Sequence, residues 1–447
     1  MSSVPRYCDR RTRRDAIRAG LAGFLVGGGG MGLPELLRLR AASRTGDEDT
    51  SQNAVIFVEL AGGPTQHETY DPKPSAPKEY RGPFGVIDTK LPGVQFSELM
   101  VKQAEVADRL ALVRSVHHNT GSHTIGSHLV QTGYYLQNST NTENDMPCVG
   151  SVVARVRGAN APAMPPFVSI PQSMRYGRAA WFGKSFNPFE TGGNLTSKDF
   201  QVPNLELIKG ISTSRLADRQ RLLAGFDATR RILDTRGFAT AQEDFTRQAY
   251  RMVTTRSVRD AFDLQQEPES IRRLYGNNEM GQRFLLARRL AERGVPFVTV
   301  GSGGWDNHGQ KVCGYTLEDS LKRRGPNFDQ GVAALITDLC QQGLDRQILL
   351  VCMGEFGRTP KVNSEAGRDH WEYVMTVLLA GGGLQVGQVV GASDSKGGHP
   401  IEAPYGPNSV LAMIYRHLGI DPSLKFPDPA GRPRYVLEDR RLIRELI

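Results

Sequence analysis

Residues 348–357 read Ile-Leu-Leu-Val-Cys-Met-Gly-Glu-Phe-Gly, an apolar run that stops at a glycine and an acid. A strand that is apolar at every position must be buried on both faces, which is typical of a parallel sheet covered by helices. Four further runs, at 54–58, 110–113, 296–300 and 374–380, are also largely apolar. Segments between them, such as 329–342, show the apolar spacing of amphipathic helices. The pattern predicts an α/β fold with a doubly wound, mostly parallel sheet.

Residues 187–277 depart from this pattern. They are rich in charge, and apolar residues such as Leu222, Leu223, Ile232 and Leu233 follow a helical spacing without a strong strand. We therefore expect one α/β domain over residues 45–447 that carries a helical insertion at about 187–277. A separate small domain is the alternative.

The positive charge of the chain is concentrated at its N terminus. The 447 residues carry a formal net charge of +8, of which residues 1–44, with nine arginines and three acids, contribute +6. The rest has a net charge of only +2 and shows no basic stripe with interleaved aromatic residues. We therefore expect no nucleic-acid binding.

The arginine-rich segment has the form of an export signal. Arg13 and Arg14 precede a weakly apolar, glycine-rich run from Ala19 to Leu33, which is too short to span a bilayer as a helix. This pattern is typical of a twin-arginine leader. It predicts that residues 1–44 engage the twin-arginine export machinery and that the protein works in the periplasm or cell envelope. A disordered basic tail is the alternative.

Acids and histidines collect after the predicted strands, where open parallel sheets bind their ligands. Glu59 follows the first run, Asp306 and His308 follow the run at 296–300, Glu355 follows the run at 348–353, and His370 comes fifteen residues later. Imidazoles and carboxylates together suit a divalent ion such as zinc, calcium or manganese. We predict that these residues are the metal ligands. A hydrogen bond between Asp306 and His308 that only holds their loop is the alternative for that pair.

Two other features bear on the site. Arg358 can bind a sulfate or phosphate oxygen through its guanidinium, or it can simply pair with Glu355. His118, His123 and His128 recur every five residues. Successive members would lie about 140° apart on a helix and on opposite faces of a strand, so the three are not expected to share one ion.

Motifs spread over nearly the whole chain resemble those of a known family. Besides the leader they are GGPT (62–65), DPKP (71–74), GSHTIGSH (121–128), GWDNH (304–308), EFGRTP (355–360) and GRDHW (367–371). As a set they resemble the exported domain-of-unknown-function family 1501, which is placed in the alkaline phosphatase/sulfatase superfamily. The resemblance implies a doubly wound sheet of the alkaline phosphatase-like type, with a metal site at the ends of the strands.

The same resemblance implies where the nucleophile lies. The superfamily places it at the start of a helix, about nine residues before a Thr-Gly pair. Counting back from Thr132 reaches His123, which is flanked by Ser122 and Thr124. The resemblance therefore implies that one of these three residues attacks the substrate, and Ser122 as a simple helix cap is the alternative.

Two functions follow from these expectations. The first is an exported, metal-dependent hydrolase of phosphate or sulfate esters, whose substrate is an anionic small molecule or a glycan ester. The Cys/Ser-x-Pro-x-Arg signature of the formylglycine sulfatases is absent from the sequence, which excludes their mechanism. The alternative is a catalytically degenerate protein of the same fold that binds metal and glycan. His123 in the position of the nucleophile and Phe356 beside Glu355 favour that alternative.

Overall fold

The structure is a computed structural model that describes residues 49–197, 200, 202, 205 and 248–447. The predicted leader, residues 1–44, lies outside the described residues. So does the middle of the predicted helical insertion, from 206 to 247.

Sixteen strands occur in the described part of the chain. In chain order they are β1 Ala54–Leu60, β2 Val86–Asp88, β3 Gln95–Ser97, β4 Leu110–Val116, β5 Phe167–Ile170, β6 Phe189–Glu190, β7 Phe297–Ser302, β8 Ile348–Met353, β9 Gly357–Arg358, β10 His370–Trp371, β11 Met375–Gly381, β12 Gln388–Val390, β13 Ala392–Ser393, β14 Pro400–Glu402, β15 Lys425–Pro427 and β16 Pro433–Tyr435. The eight that form the central sheet include all five predicted runs.

The central sheet has the order β12-β4-β11-β8-β1-β7-β5-β6. Every strand pair in it is parallel except those that involve β11, which runs antiparallel to both β4 and β8. The predicted mostly parallel sheet is therefore confirmed. The apolar run at 374–380 gave no sign that β11 is reversed, because a buried strand needs the same side chains in either direction.

In the described part of the chain, ten α-helices with assigned bounds flank or connect these strands. They are α1 Lys78–Arg81, α2 Val101–Ala104, α3 His123–Thr132, α4 Val149–Val156, α5 Arg256–Phe262, α6 Glu269–Tyr275, α7 Glu279–Glu292, α8 Gln310–Cys313, α9 Leu317–Gln341 and α10 Pro407–His417, and residues 248–254 are helical as well. Within the described residues, no helix combines the length and the apolar character needed to cross a membrane.

Two apolar cores cover the two faces of the sheet. Successive side chains of a strand point to opposite faces, so Ile56 and Val58 of β1 join one core while Val55 and Phe57 join the other. Helices α7 and α9 pack in the first core, and α4 and α10 pack in the second. Helices on both faces make the sheet doubly wound, as the sequence predicts.

The described flanks of the predicted insertion belong to this domain. Phe189 and Glu190 form β6, which extends the sheet at its edge where no strand was expected. On the other flank, Met252, Val258 and Phe262 are buried in the core that also contains α7 and α9. The helices that follow the undescribed residues therefore pack against the sheet.

Candidate metal centre

The centre forms where three adjacent strands end. In the register of the sheet, Glu59 of β1 lies beside Gly301 of β7 and Met353 of β8. The loops that follow these strands therefore leave the sheet side by side. They carry Gly62, Asp306 and Glu355 to one place.

Gly62 allows these loops to approach each other. Its φ of +107° is strained for any residue with a side chain, and an added Cβ would lie 2.4 Å from the backbone nitrogen of Asp306. Its N–H donates to both carboxylate oxygens of Glu355, at 2.9 and 3.1 Å. The glycine turn after β1 thus lets the loops that follow β7 and β8 contact the same backbone.

Four side chains converge above these loops. One ligand atom from each of His123, Asp306, His308 and His370 lies within 4.8 Å of the other three. The Asp306 carboxylate is 3.0 Å from His308 Nε2, 3.2 Å from His370 Nε2 and 3.2 Å from His123 Nε2. The Asp306–His308 contact expected from the alternative interpretation is therefore present. It does not account for the two further imidazoles at the same carboxylate.

A second partner orients each of the three imidazoles. His123 Nδ1 lies 2.6 Å from a carboxylate oxygen of Glu355, and His308 Nδ1 lies 2.8 Å from Asp369. His370 Nδ1 lies 2.7 Å from the backbone oxygen of Gly121. Metal-binding histidines are commonly held in this way, with the remote nitrogen donating to a carboxylate or a carbonyl.

These partners fix which nitrogens carry hydrogen. A carbonyl or carboxylate oxygen only accepts, so Nδ1 of His308 and Nδ1 of His370 must donate. In the neutral rings, each Nε2 then presents a lone pair, and the two Nε2 atoms lie 2.9 Å apart. Two lone pairs facing each other beside a carboxylate repel unless a cation lies between them. The donor set therefore fits a divalent metal ion.

The charges of the cluster support the same conclusion. Burial opposes ionisation of Asp306, but its contacts with His123, His370 and Arg358 hold the pKa of its carboxyl well below the usual range. Burial also opposes protonation of His123, but its contacts with Asp306 and Glu355 raise its pKa to about 9. The pocket thus favours positive charge between carboxylates, as a proton on His123 or as a metal ion in its place.

Glu355 lies outside the cluster of ligand atoms, although the sequence suggested it as a ligand. Its carboxylate is occupied by the N–H of Gly62 and by Nδ1 of His123. In this arrangement it orients His123. Glu355 lies in the loop after β8, and its side chain turns toward the backbone of the loop after β1. This direction places the carboxylate at Nδ1 of His123.

Replacing Glu355 by glutamine should weaken metal binding without unfolding the protein. The amide keeps the shape of the side chain but removes the charge that holds His123 Nδ1–H, a change that typically costs about 10- to 100-fold in metal affinity. Competition with a fluorescent chelator measures the affinity, and Glu402→Gln, at an exposed position on β14, is the matched control. Equal zinc affinity in wild type and Glu355→Gln would contradict this role.

Glu59 is also absent from the cluster. It is 5% exposed, and it accepts a 3.5 Å hydrogen bond from Gln131. Burial, followed by the nearby charge of Glu355, raises the pKa of Glu59 to about 8. Glu59 is therefore a buried carboxyl that is not among the four converging ligand atoms.

The Glu59→Gln variant should be more stable than wild type in alkaline solution. A raised pKa in the folded state means that the contribution of Glu59 to stability is full below pH 4.5 and is lost as pH rises to about 8. Glutamine does not titrate, so the difference in unfolding free energy should grow over that window. We expect roughly 5 kcal/mol at pH 9, since the pKa rises from 4.5 to about 8 and each pKa unit corresponds to about 1.4 kcal/mol. Urea unfolding of chelator-treated protein measures it, and parallel curves for the two proteins would contradict it.

Arg358 does not make either contact that the sequence suggested. Its guanidinium is fully buried, and it donates to Asp306 and to the backbone oxygens of Gly62, Gly63 and Arg368. A substrate anion cannot reach it in this arrangement, and its ion-pair partner is Asp306 instead of Glu355. Arg358 therefore positions Asp306 and holds the loops after β1 and β8 together.

The region of the predicted nucleophile is the start of α3. Ser122 occupies the N-cap position without a side-chain capping bond, and its hydroxyl lies 2.9 Å from that of Thr124. His123, between them, belongs to the cluster. His118 and His128 do not, since His118 Nε2 contacts the backbone oxygen of Glu355 and His128 Nδ1 that of Tyr134. This distribution agrees with the spacing argument.

The structure adds supporting residues that sequence reasoning did not identify. Arg368 and Glu68 form an ion pair in which both side chains are buried. Arg368 also donates to the backbone oxygens of Thr359, Pro360 and Tyr80. Nothing in the sequence marks this pair, because charged residues in polar loops are usually solvated. Asp369, the residue before His370 in the sequence, contacts His308.

Several solved structures are similar to this chain in fold. An alkaline phosphatase from the Antarctic bacterium TAB5 is 11% identical, with 82% of this chain and 98% of that chain covered and a TM-score of 0.34. A sulfatase from Pseudoalteromonas sp. is 11% identical, with 87% and 72% covered and a TM-score of 0.34. The lipoteichoic acid synthase LtaP from Listeria monocytogenes is 9% identical, with 87% and 78% covered and a TM-score of 0.34.

The match to a family is of a different kind. No curated protein matches the sequence. The family described as "Protein of unknown function (DUF1501)" matches residues 52–447, which include every strand, helix and cluster residue described above. This is the family that the motifs at 62–74, 121–128, 304–308 and 355–371 resemble. The chain belongs to this family of proteins of unknown function.

Proposed function

We propose that the protein is a metal-dependent hydrolase of phosphate or sulfate esters that acts after export. The observation that carries the proposal is the convergence of three imidazole nitrogens and the Asp306 carboxylate at the ends of parallel strands. Their side chains remain 18–40% exposed. A structural metal site is closed, whereas a catalytic one keeps access for its substrate. The location in the periplasm or cell envelope rests on the sequence of residues 1–44.

Zinc is the metal we propose. Three imidazoles and one carboxylate are ligands that zinc binds well, and manganese is the second candidate. Calcium prefers a shell made of oxygen atoms and fits this donor set poorly. When bound, the ion would polarise the ester and stabilise the negative charge that develops as the bond to the leaving group breaks.

The residues of the chain divide the remaining tasks. Both nitrogens of His123 are engaged, so we assign it to the metal and not to attack on the substrate. Ser122 and Thr124 stand on either side of it and supply the candidate attacking hydroxyl. They lie at the N terminus of α3, where free N–H groups favour an anionic ester. Asp306 is kept in place by Arg358.

One observation favours the second candidate, a protein that binds metal and glycan without turnover. The hydroxyls of Ser122 and Thr124 contact each other, and within the described residues neither contacts a carboxylate or an imidazole that would accept its proton. A hydroxyl without a base is a poor nucleophile at neutral pH. The two candidates differ in whether an ester is cleaved.

An assay of ester hydrolysis tests the proposal. Purified protein is stripped with a chelator, reloaded with zinc or manganese, and incubated with p-nitrophenyl phosphate and p-nitrophenyl sulfate. We expect metal-dependent release of p-nitrophenol, which the double variant Ser122→Ala/Thr124→Ala loses while it keeps its metal. Metal-loaded wild type that cleaves neither ester would contradict the hydrolase and favour the binding protein.

A further inference from the structure

Three aromatic side chains form a cluster at the surface. Two of them lie just after His370 of the metal centre in the sequence. Trp371 and Tyr373 lie 4.9 Å apart between ring centroids, and His399 lies 5.7 Å from Trp371 and 5.3 Å from Tyr373. Tyr373 is 40% exposed, and His399 is exposed as well. We call these three residues the aromatic platform. Grouped and partly exposed aromatic rings offer a surface on which a ligand can pack.

The platform is held rigidly. The indole N–H of Trp371 donates to the backbone oxygen of Gly398 at 2.6 Å. The Asp394 carboxylate accepts backbone N–H groups from Lys396, Gly398 and His399 at 2.9–3.0 Å. A ligand that binds here would therefore meet rings already in position, and little conformational freedom would be lost.

The geometry of β10 places the platform beside the metal centre and not within it. His370 and Trp371 are successive residues of this strand, so their side chains point to opposite sides. Glu372 lies on the side of His370, since a Cβ added to Gly121 would be 3.1 Å from Glu372 Oε2 and 3.6 Å from His370 Cβ. The rings of Trp371 and Tyr373 then lie roughly 10 Å from the cluster, across the strand. A ligand with several units can reach both places.

The chemistry of the platform favours a sugar. Aromatic faces pack against the C–H face of a pyranose ring, and a polar rim serves its hydroxyl groups. The rim here includes the exposed imidazole of His399 and Lys396, whose ammonium lies 5.0 Å from the ring of Tyr80. These groups donate hydrogen bonds to hydroxyl or anionic substituents. A membrane surface or a protein interface would need a much larger apolar area than these rings offer.

We propose that the aromatic platform binds one sugar residue of an oligosaccharide whose ester group lies at the metal centre. The placement of the ester group at the metal centre rests on the proposed function, whereas binding of a sugar to the aromatic platform requires no cleavage. The platform would make the protein prefer esters carried on oligosaccharides over esters of a single small ring. In this proposal Trp371, Tyr373 and His399 select the substrate and do not contact the reacting atoms.

The test begins with zinc-loaded full-length protein on an array of neutral, carboxylated, sulfated and phosphorylated oligosaccharides. The affinity of the strongest oligosaccharide is then measured by calorimetry. Tyr373→Ala should weaken it about tenfold, the effect of losing one stacking contact. Tyr373→Phe should bind within twofold of wild type because the ring is kept. Trp371 is left intact because its indole holds the loop.

Tyr435→Ala is the matched control. Tyr435 lies on the hairpin of β15 and β16, where Lys425 and Arg440 cover its ring. Its removal should leave binding of the oligosaccharide unchanged. No binding on the array, or binding that Tyr373→Ala and Tyr435→Ala affect equally, would overturn the platform.

The outcomes separate this inference from the proposed function. Binding that depends on Tyr373, without cleavage of any ester, supports the platform and contradicts the hydrolase. Cleavage of p-nitrophenyl esters together with an unchanged kcat/KM for oligosaccharide esters in Tyr373→Ala supports the hydrolase and overturns the platform.

Discussion

A His308→Ala variant should bind zinc at least about 100-fold more weakly than wild type, beyond the range for residues that only support a ligand. The imidazole contacts both Asp306 and His370 through Nε2, and Asp369 holds its other nitrogen. Its removal takes away one of the four converging donors. It also leaves the carboxylate of Asp369 without the group that it orients.

The control for this experiment is His399→Ala, which removes an exposed imidazole outside the cluster. That variant should bind zinc with the affinity of wild type. Circular dichroism shows whether each variant is folded, and chelator competition gives the affinity. A folded His308→Ala protein that keeps the affinity of wild type would mean that the four side chains are not the metal centre.

Replacing Arg368 by methionine should destabilise the protein by about 3–5 kcal/mol, the usual cost of leaving a buried charge without its partner. Glu68 is 1% exposed and would remain in the interior without a cation. The backbone oxygens of Thr359, Pro360 and Tyr80 would lose their donor as well. Urea unfolding measures the change.

Two further variants serve as comparisons for Arg368→Met. The double variant Arg368→Met/Glu68→Leu has no unpaired buried carboxylate, so we expect this variant to regain part of the lost stability. Arg273→Met breaks an exposed pair with Glu269, whose side chains are 72% and 69% exposed, and should change stability by less than about 1 kcal/mol. A loss below that level in Arg368→Met would contradict the role of the buried pair.

The strands of the central sheet could be predicted because their residues must be apolar on both faces. The run at 348–353 is β8, and the runs at 54–58 and 110–113 lie within β1 and β4. The start of α9 was predicted too late, at residue 329 instead of 317. Pro326 lies in the interior of the helix, which begins well before it at the capping box of Thr316 and Asp319.

The sequence predicted which loops form the site, but not the direction of each side chain. Asp306, His308 and His370 come together because the loops after the strands meet, as expected from the sheet. The sequence did not distinguish the directions of Glu59, Glu355 and Arg358, which point into the protein and contact the backbone or other side chains. Such choices depend on tertiary hydrogen bonds between residues far apart in the chain. His123 joins the cluster because α3 begins beside Glu355, a contact that no local spacing reveals.

X-ray absorption spectroscopy of the zinc-loaded protein tests the central claim most directly. The claim is that His123, Asp306, His308 and His370 hold one divalent ion. We expect a shell of nitrogen and oxygen atoms at about 2.0–2.1 Å, with outer scattering from three imidazoles. Stoichiometric zinc with this pattern would support the centre. Protein that retains no zinc after loading, or zinc whose spectrum lacks imidazole scattering, would contradict it.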